Sequence, residues 1–152
     1  MPIQWWHQTG VSEHERCLKA YANNPAARCE PFIDDIPAAF AWADLVISRA
    51  GALSVSEIAA SGLASILIPY PHAVDDHQYQ NATHLANLSA AWVIREKDLT
   101  ADQLAQRIRQ CHQSPEELVT MGNQAKALSA ADATAQVADY CLQAAGWATK
   151  NQ

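Results

Sequence analysis

No stretch of this chain is apolar for the ~20 residues that a bilayer-crossing helix needs. Its opening, Met1-Pro2-Ile3-Gln4, has no basic region followed by an apolar run, which argues against a signal peptide. Basic residues are in the minority. Ten Lys and Arg stand against sixteen Asp and Glu, a formal net charge of −6, so the basic face of a nucleic-acid binder is missing and no nucleic-acid partner is expected. The four cysteines, Cys17, Cys29, Cys111 and Cys141, are widely spaced and form no CxxC pair, which speaks against a zinc ribbon or a redox motif. Reduced thiols on helices and strands are the plain reading. Internal repeats, low-complexity tracts and long linkers are also lacking, so residues 1–152 read as one domain. These absences predict a soluble, cytoplasmic chain.

Hydrophobic residues make up 49% of the chain and charged residues 17%, a globular rather than a disordered composition. The apolar residues arrive in short runs: Ile3 to His7, Arg28 to Phe32, Leu45 to Ser48, Ser65 to Pro69 and Ala90 to Ile94. Runs this brief and this continuous suit strands buried on both faces, as in a parallel sheet. Helical patterns lie between them. Ser12 and Glu15 have capping-box spacing ahead of a helix to about Asn23. Ile36 to Ala43 follows, then Ser54 to Ser61 with Gly62 at the C-cap position, then Asp76 to Leu88. The alternation predicts an α/β fold with a parallel sheet flanked by helices. The rest reads as helix: Thr100 and Gln103 repeat the capping-box spacing, Ser114-Pro115-Glu116-Glu117 opens a second helix, and Asp132 to Ala144 forms a third.

Two segments carry chemistry. The first is Ser48-Arg49-Ala50-Gly51-Ala52-Leu53-Ser54-Val55-Ser56-Glu57, which leaves a strand, turns through a glycine and enters a helix. Ligands of open α/β sheets gather at the carboxyl ends of strands. A helix N-terminus there acts as roughly half a positive charge and seats a diphosphate. Gly51 would let that ligand approach the backbone, and Arg49 would add a permanent forked cation. The bland readings are equally concrete at this point: Ser54 and Glu57 have capping-box spacing, and Arg49 could be a surface ion-pair partner. The second segment, Pro69 to Ala82, opens on the same edge of the sheet and is dense in groups that bond hydroxyls. Its His72, Asp75, Asp76 and His77 could also be read as metal ligands, although their spacing matches no standard site.

Together, Trp6-His7-Gln8-Thr9-Gly10, Phe32-Ile33-Asp34-Asp35, Arg49-x-Gly51-Ala52-Leu53-Ser54-x-Ser56-Glu57, Pro69-Tyr70-Pro71-His72 and Asp76-His77-Gln78-x-x-Asn81-Ala82 resemble the MurG family of glycosyltransferases over nearly the whole chain. The likeness is to its C-terminal, donor-binding domain. It implies the second Rossmann-like half of a GT-B fold, and transfer of N-acetylglucosamine from UDP-GlcNAc to a lipid-linked muramyl-pentapeptide, lipid I, giving lipid II for peptidoglycan. It implies no cofactor and no metal, and a full-length enzyme held peripherally on the cytoplasmic face of the bacterial inner membrane. Carried over by position, the backbone of Ile33 would read the uracil edge. Ala52, Leu53 and Ser54 would offer amides to the diphosphate and sugar, with Val55 and Ser56 completing the run. Glu57 would accept both ribose hydroxyls, Gln78 with His77 and Asn81 would address the GlcNAc hydroxyls, and Arg49 would stabilise the leaving UDP. Ala64 departs from the family's usual proline, and His77 from its usual polar residue.

The resemblance further implies that the N-terminal acceptor domain, with its general base, and the first, central strand of this domain are not in the chain. The lone chain is therefore expected to be inactive, with strand edges that a homodimer could cover. Rival readings are a non-catalytic donor-binding subunit that needs a partner chain, another enzyme of the same fold such as a UDP-GlcNAc 2-epimerase or a lipid galactosyltransferase, and a plain α/β interaction module.

Overall fold

The computed structural model describes residues 3–22, 24–129 and 140–143. Five short parallel strands alternate with helices, as the apolar runs predict. The order is β1 (Trp5–Gln8), α1 (His14–Tyr21), β2 (Ala27–Glu30), α2 (Ile36–Trp42), β3 (Leu45–Ser48), α3 (Ala52–Ser61), β4 (Ala64–Leu67), α4 (His77–Ala86), β5 (Trp92–Val93), α5 (Ala101–Gln113) and α6 (Pro115–Leu128). The proposed closing helix, 132–144, lies outside the described residues except for 140–143, which are helical.

Among the described residues the strands form two sheets, β1-β2 and β3-β4-β5, and all pairings are parallel. β4 has a neighbour on each side, and all four of its residues are buried; β3 has one neighbour, and its equally apolar Leu45-Val46-Ile47-Ser48 is only half-buried throughout. The core lies over β4: Ile58 of α3 together with Ile66 and Leu67 is fully buried, each side chain contributing about 1.5–3 kcal/mol. α6 packs along α3 and β4. Its Gly122 sits so close to Gly62 that a Cβ there would collide with the Gly62 carbonyl. Gly62 itself ends α3 at φ 68°, the left-handed conformation glycine adopts without penalty. In the smaller sheet, Trp6 is held by its Nε1 donating to Glu30 at 3.0 Å, by the Arg28 guanidinium 3.9 Å over its ring, and by Trp42 edge-to-face with ring centroids 5.8 Å apart.

Three start signals read from the sequence differ in the structure. Helix α1 begins at His14 with Glu13 as N-cap and no side-chain cap, so the Ser12–Glu15 box is not formed; Glu13 pairs with Arg16 instead, at 2.9 Å. Ser114 occupies the N-cap of α6 ahead of Pro115, but its hydroxyl makes no capping bond. Helix α3 begins two residues before Ser54, which puts Ser54 inside the first turn and rules out a Ser54–Glu57 capping box. The Thr100–Gln103 box is complete, with bonds of 3.1 and 3.2 Å.

Candidate functional site

The carboxyl ends of β3, β4 and β5 share one edge, and the candidate residues of the two segments, Arg49 to Glu57 and His77 to Asn81, lie along it, whereas Ile33 follows β2 in the other sheet. Ser48 leads through Arg49 and the fully buried Ala50 to Gly51, which is the N-cap of α3. The first intrahelical bond of this segment runs from Val55 N–H to the Gly51 carbonyl at 2.9 Å, and no side chain caps the end. The amides of Ala52, Leu53 and Ser54 therefore lack intrahelical acceptors, and the helix dipole adds to their pull on an anion. A Cβ built on Gly51 would meet only Ser54 Oγ, at 3.9 Å, so the approach to these amides is open. Gly51 has φ −62°, which any residue can adopt.

Within α3 the residues divide by face. Val55 turns into the core, and the Ser56 hydroxyl bonds back to the Ala52 carbonyl at 2.9 Å. Glu57 is exposed, one turn beyond Leu53 and Ser54. Leu53 is itself 72% exposed, an apolar side chain standing beside the open amides.

Behind this turn, α4 acts as a brace. Asn81 Nδ2 donates to the Ala50 carbonyl at 3.1 Å, fixing the bend that aims α3. Gln78 Oε1 accepts from the Tyr70 amide at 3.0 Å, closing the loop that leaves β4, while its amide nitrogen has no such duty. His77 Nδ1 lies 2.6 Å from the Val74 carbonyl, which can only accept; in the neutral ring Nδ1 therefore carries the proton and Nε2 is the acceptor. Asp75 and Asp76 both sit at positive φ, 51° and 54°, a conformation that strains residues other than glycine. Contacts on both flanks hold it: Gln80 donates to the Asp75 carbonyl at 3.2 Å, and Arg95 donates to Asp76 Oδ2 at 2.9 Å while lying 3.6 Å over the Tyr79 ring. The Asp76 carboxylate raises the Arg95 guanidinium above its ordinary value. His72, Asp75, Asp76 and His77 do not converge, and no group of three His, Cys, Asp or Glu side chains among the described residues is placed to hold a metal.

Ile33 follows the carboxyl end of β2 and is 7% exposed; its amide donates to Gln8 Oε1 at 2.9 Å. Its neighbour Phe32 is 64% exposed. Arg49 does not stay beside α3. Its Nη1 crosses β4, meeting the Ile68 and Pro69 carbonyls at 3.3 and 3.4 Å, and pairs with Glu96. Sequence reasoning placed Gln8 in the Trp6–Gly10 motif without a role and missed Glu96; Gln8 ends β1 and Glu96 opens the turn after β5, and that nearness to strand ends was the signal available.

A parallel sheet flanked by helices, with an uncapped helix start, an arginine and a polar loop along its carboxyl edge, defines an open α/β domain of the Rossmann-like class. The chain belongs to the family described as the glycosyltransferase family 28 C-terminal domain, which matches residues 2–137. It is similar to proteins named UDP-N-acetylglucosamine--N-acetylmuramyl-(pentapeptide) pyrophosphoryl-undecaprenol N-acetylglucosamine transferase. The one from Shewanella denitrificans is 43% identical over 95% of this chain and 40% of its own length, and that from Azotobacter vinelandii 45% identical over 92% and 40%. The crystal structure of Acinetobacter baumannii MurG superposes with a TM-score of 0.80 at 34% identity, over 91% of this chain and 40% of that one. The α/β fold class and the family expected from the motifs both hold. The chain spans about 40% of the length of these relatives. No helix among the described residues is long and apolar enough to cross a membrane.

Proposed function

We propose that this chain binds UDP-GlcNAc as the donor half of a glycosyltransferase that moves GlcNAc onto lipid I. The observation that carries the reading is the start of α3: three amides without intrahelical acceptors, no capping side chain, and an open approach past Gly51. In this reading the diphosphate sits on Ala52, Leu53 and Ser54, and the two carboxylate oxygens of Glu57 accept the ribose hydroxyls. The Ile33 backbone meets the uracil edge, with Gln8 yielding its place on the amide. Gln78 and the free acceptor nitrogen of His77 address the sugar, while Asn81 acts through the turn it braces. Negative charge that develops on the departing UDP is stabilised by the amides and Arg49, with no metal assigned a part.

The names of the relatives describe the reaction, and this chain spans about 40% of their length; in this reading it binds donor without turning over on its own. The open edges of β1 and β3 make pairing with a second copy the expected way of covering them. The test is calorimetric titration of the chain with UDP, alongside Glu57→Ala. Loss of the ribose bonds, worth ~1–3 kcal/mol, predicts binding weaker by roughly five- to 150-fold. Equal affinities would remove Glu57 from the site.

A further inference from the structure

The site contains a contact that its proposed use must break. The side chain of Arg49, on the strand end nearest α3, runs across the end of β4 and meets Glu96 Oε2 at 2.5 Å, in the single turn that follows β5. On the way Nη1 approaches the Ile68 and Pro69 carbonyls, and the guanidinium lies 5.7 Å over the Tyr70 ring. Glu96 is therefore not required to satisfy an otherwise unpartnered cation. The adjacent Arg95 is not its partner either, because Arg95 is taken by Asp76. Each of these two arginines is thus matched to a carboxylate, Arg49 with Glu96 and Arg95 with Asp76, whereas the start of α3 has neither a capping side chain nor an acid in its first turn.

We propose that Glu96 is the resting counter-ion of Arg49: it holds the guanidinium toward β5 and competes with the donor's diphosphate for it, so that Glu96 sets the affinity of the site for phosphate groups. A guanidinium fork suits a carboxylate and a phosphate alike, so the two anions are interchangeable partners. The side chains of Arg49 and Glu96 are 49% and 45% exposed, which makes the pair weak enough for a ligand to displace. Glu96 is a positioning residue in this account, since it acts through Arg49. The inference rests on the donor-site reading above.

The experiment is titration of the full chain with UDP, and separately with uridine, at fixed ionic strength for wild type, Glu96→Gln, Arg49→Ala and the double variant. Removing an exposed competitor of this strength predicts about two- to five-fold tighter UDP binding in Glu96→Gln. The gain should vanish when Arg49 is also replaced, and uridine should not distinguish Glu96→Gln from wild type. UDP binding that is unchanged or weaker in Glu96→Gln, or a gain that survives without Arg49, overturns the competition while leaving the donor site standing. Absence of UDP binding in all four proteins sinks the donor-site reading and this inference together.

Discussion

Gly51 separates folding from binding at a single position. Its φ of −62° and the open space around its missing Cβ mean that alanine fits the unliganded chain. Gly51→Ala should leave the melting temperature unchanged or raise it slightly, by the ~0.4–1 kcal/mol that a less flexible unfolded chain contributes. It should also weaken UDP binding by about tenfold, ~1.4 kcal/mol, because the methyl would stand where the ligand approaches the amides. Thermal unfolding and titration on the same preparation check both halves; lost stability with intact binding would contradict them. Asn81 is expected to behave differently. Asn81→Asp keeps the shape and removes the donor to the buried Ala50 carbonyl, which should destabilise the chain by about 1–3 kcal/mol in denaturant unfolding. At this scale the sequence told residue type and neighbourhood well. Arg49, Gly51, Gln78 and Asn81 do share one edge, but their partners were not legible. Ser54-x-x-Glu57 has the letters of a capping box, and only the start of α3 at Ala52 shows that the two residues cannot cap it. Nothing in the spacing could tell that Arg49 reaches across 47 residues of chain to Glu96.

At the scale of elements, the site depends on how tightly α3 is set against α6. Gly122 sits where a Cβ would strike the Gly62 carbonyl, a backbone atom that cannot move aside as a flexible side chain would. Gly122→Ala is therefore expected to cost about 1–3 kcal/mol by overpacking, read as a lower midpoint in urea. An unchanged midpoint would mean that α6 can lift from α3 freely. This contact was invisible in the sequence, where Gly122 reads as an unremarkable residue within a helical stretch. The strands themselves were legible because their apolar runs are short and continuous, and their boundaries shifted by only a few residues. Helix starts were less so. Ser12 and Ser114 are ordinary capping residues by type, yet neither hydroxyl makes the bond, because the local backbone gives those helices Glu13 and an uncapped Ser114 instead.

At the largest scale, the division of the strands among the described residues into two sheets is the feature that bears most on behaviour. Trp5 donates to the Ala26 carbonyl just ahead of β2 and Thr9 to the Glu30 carbonyl at its end, so the backbone groups of Trp6 and Gln8 face away from β2; Ser48 accepts from Ile68 just beyond β4, so those of Ile47 face away from β4. If a second copy covers these edges, light scattering should give a dimer mass, and the Ile47 amide should exchange more slowly as concentration rises. A monomer with rapid, concentration-independent exchange at Ile47 would count against pairing. Acid should loosen the smaller sheet first. The Trp6 indole N–H and then Arg28 hold the Glu30 carboxyl below its ordinary 4.5. A folded value below the unfolded one contributes stability above the ordinary value and loses it as pH falls through the carboxylate range. Glu30→Gln should accordingly flatten the acid limb of stability against pH. The α/β class was plain from the alternation of runs and helices. The break in the sheet was anticipated only through the family likeness, since strand order is set by pairing between distant residues that no local pattern records. The central claim is that the start of α3 seats a diphosphate, and crystals of the chain soaked with UDP test it most directly. Phosphate oxygens are expected within hydrogen-bond distance of the Ala52, Leu53 and Ser54 amides, with Glu57 on the ribose; UDP bound elsewhere, or Glu57 turned away from it, would contradict this seat for the diphosphate.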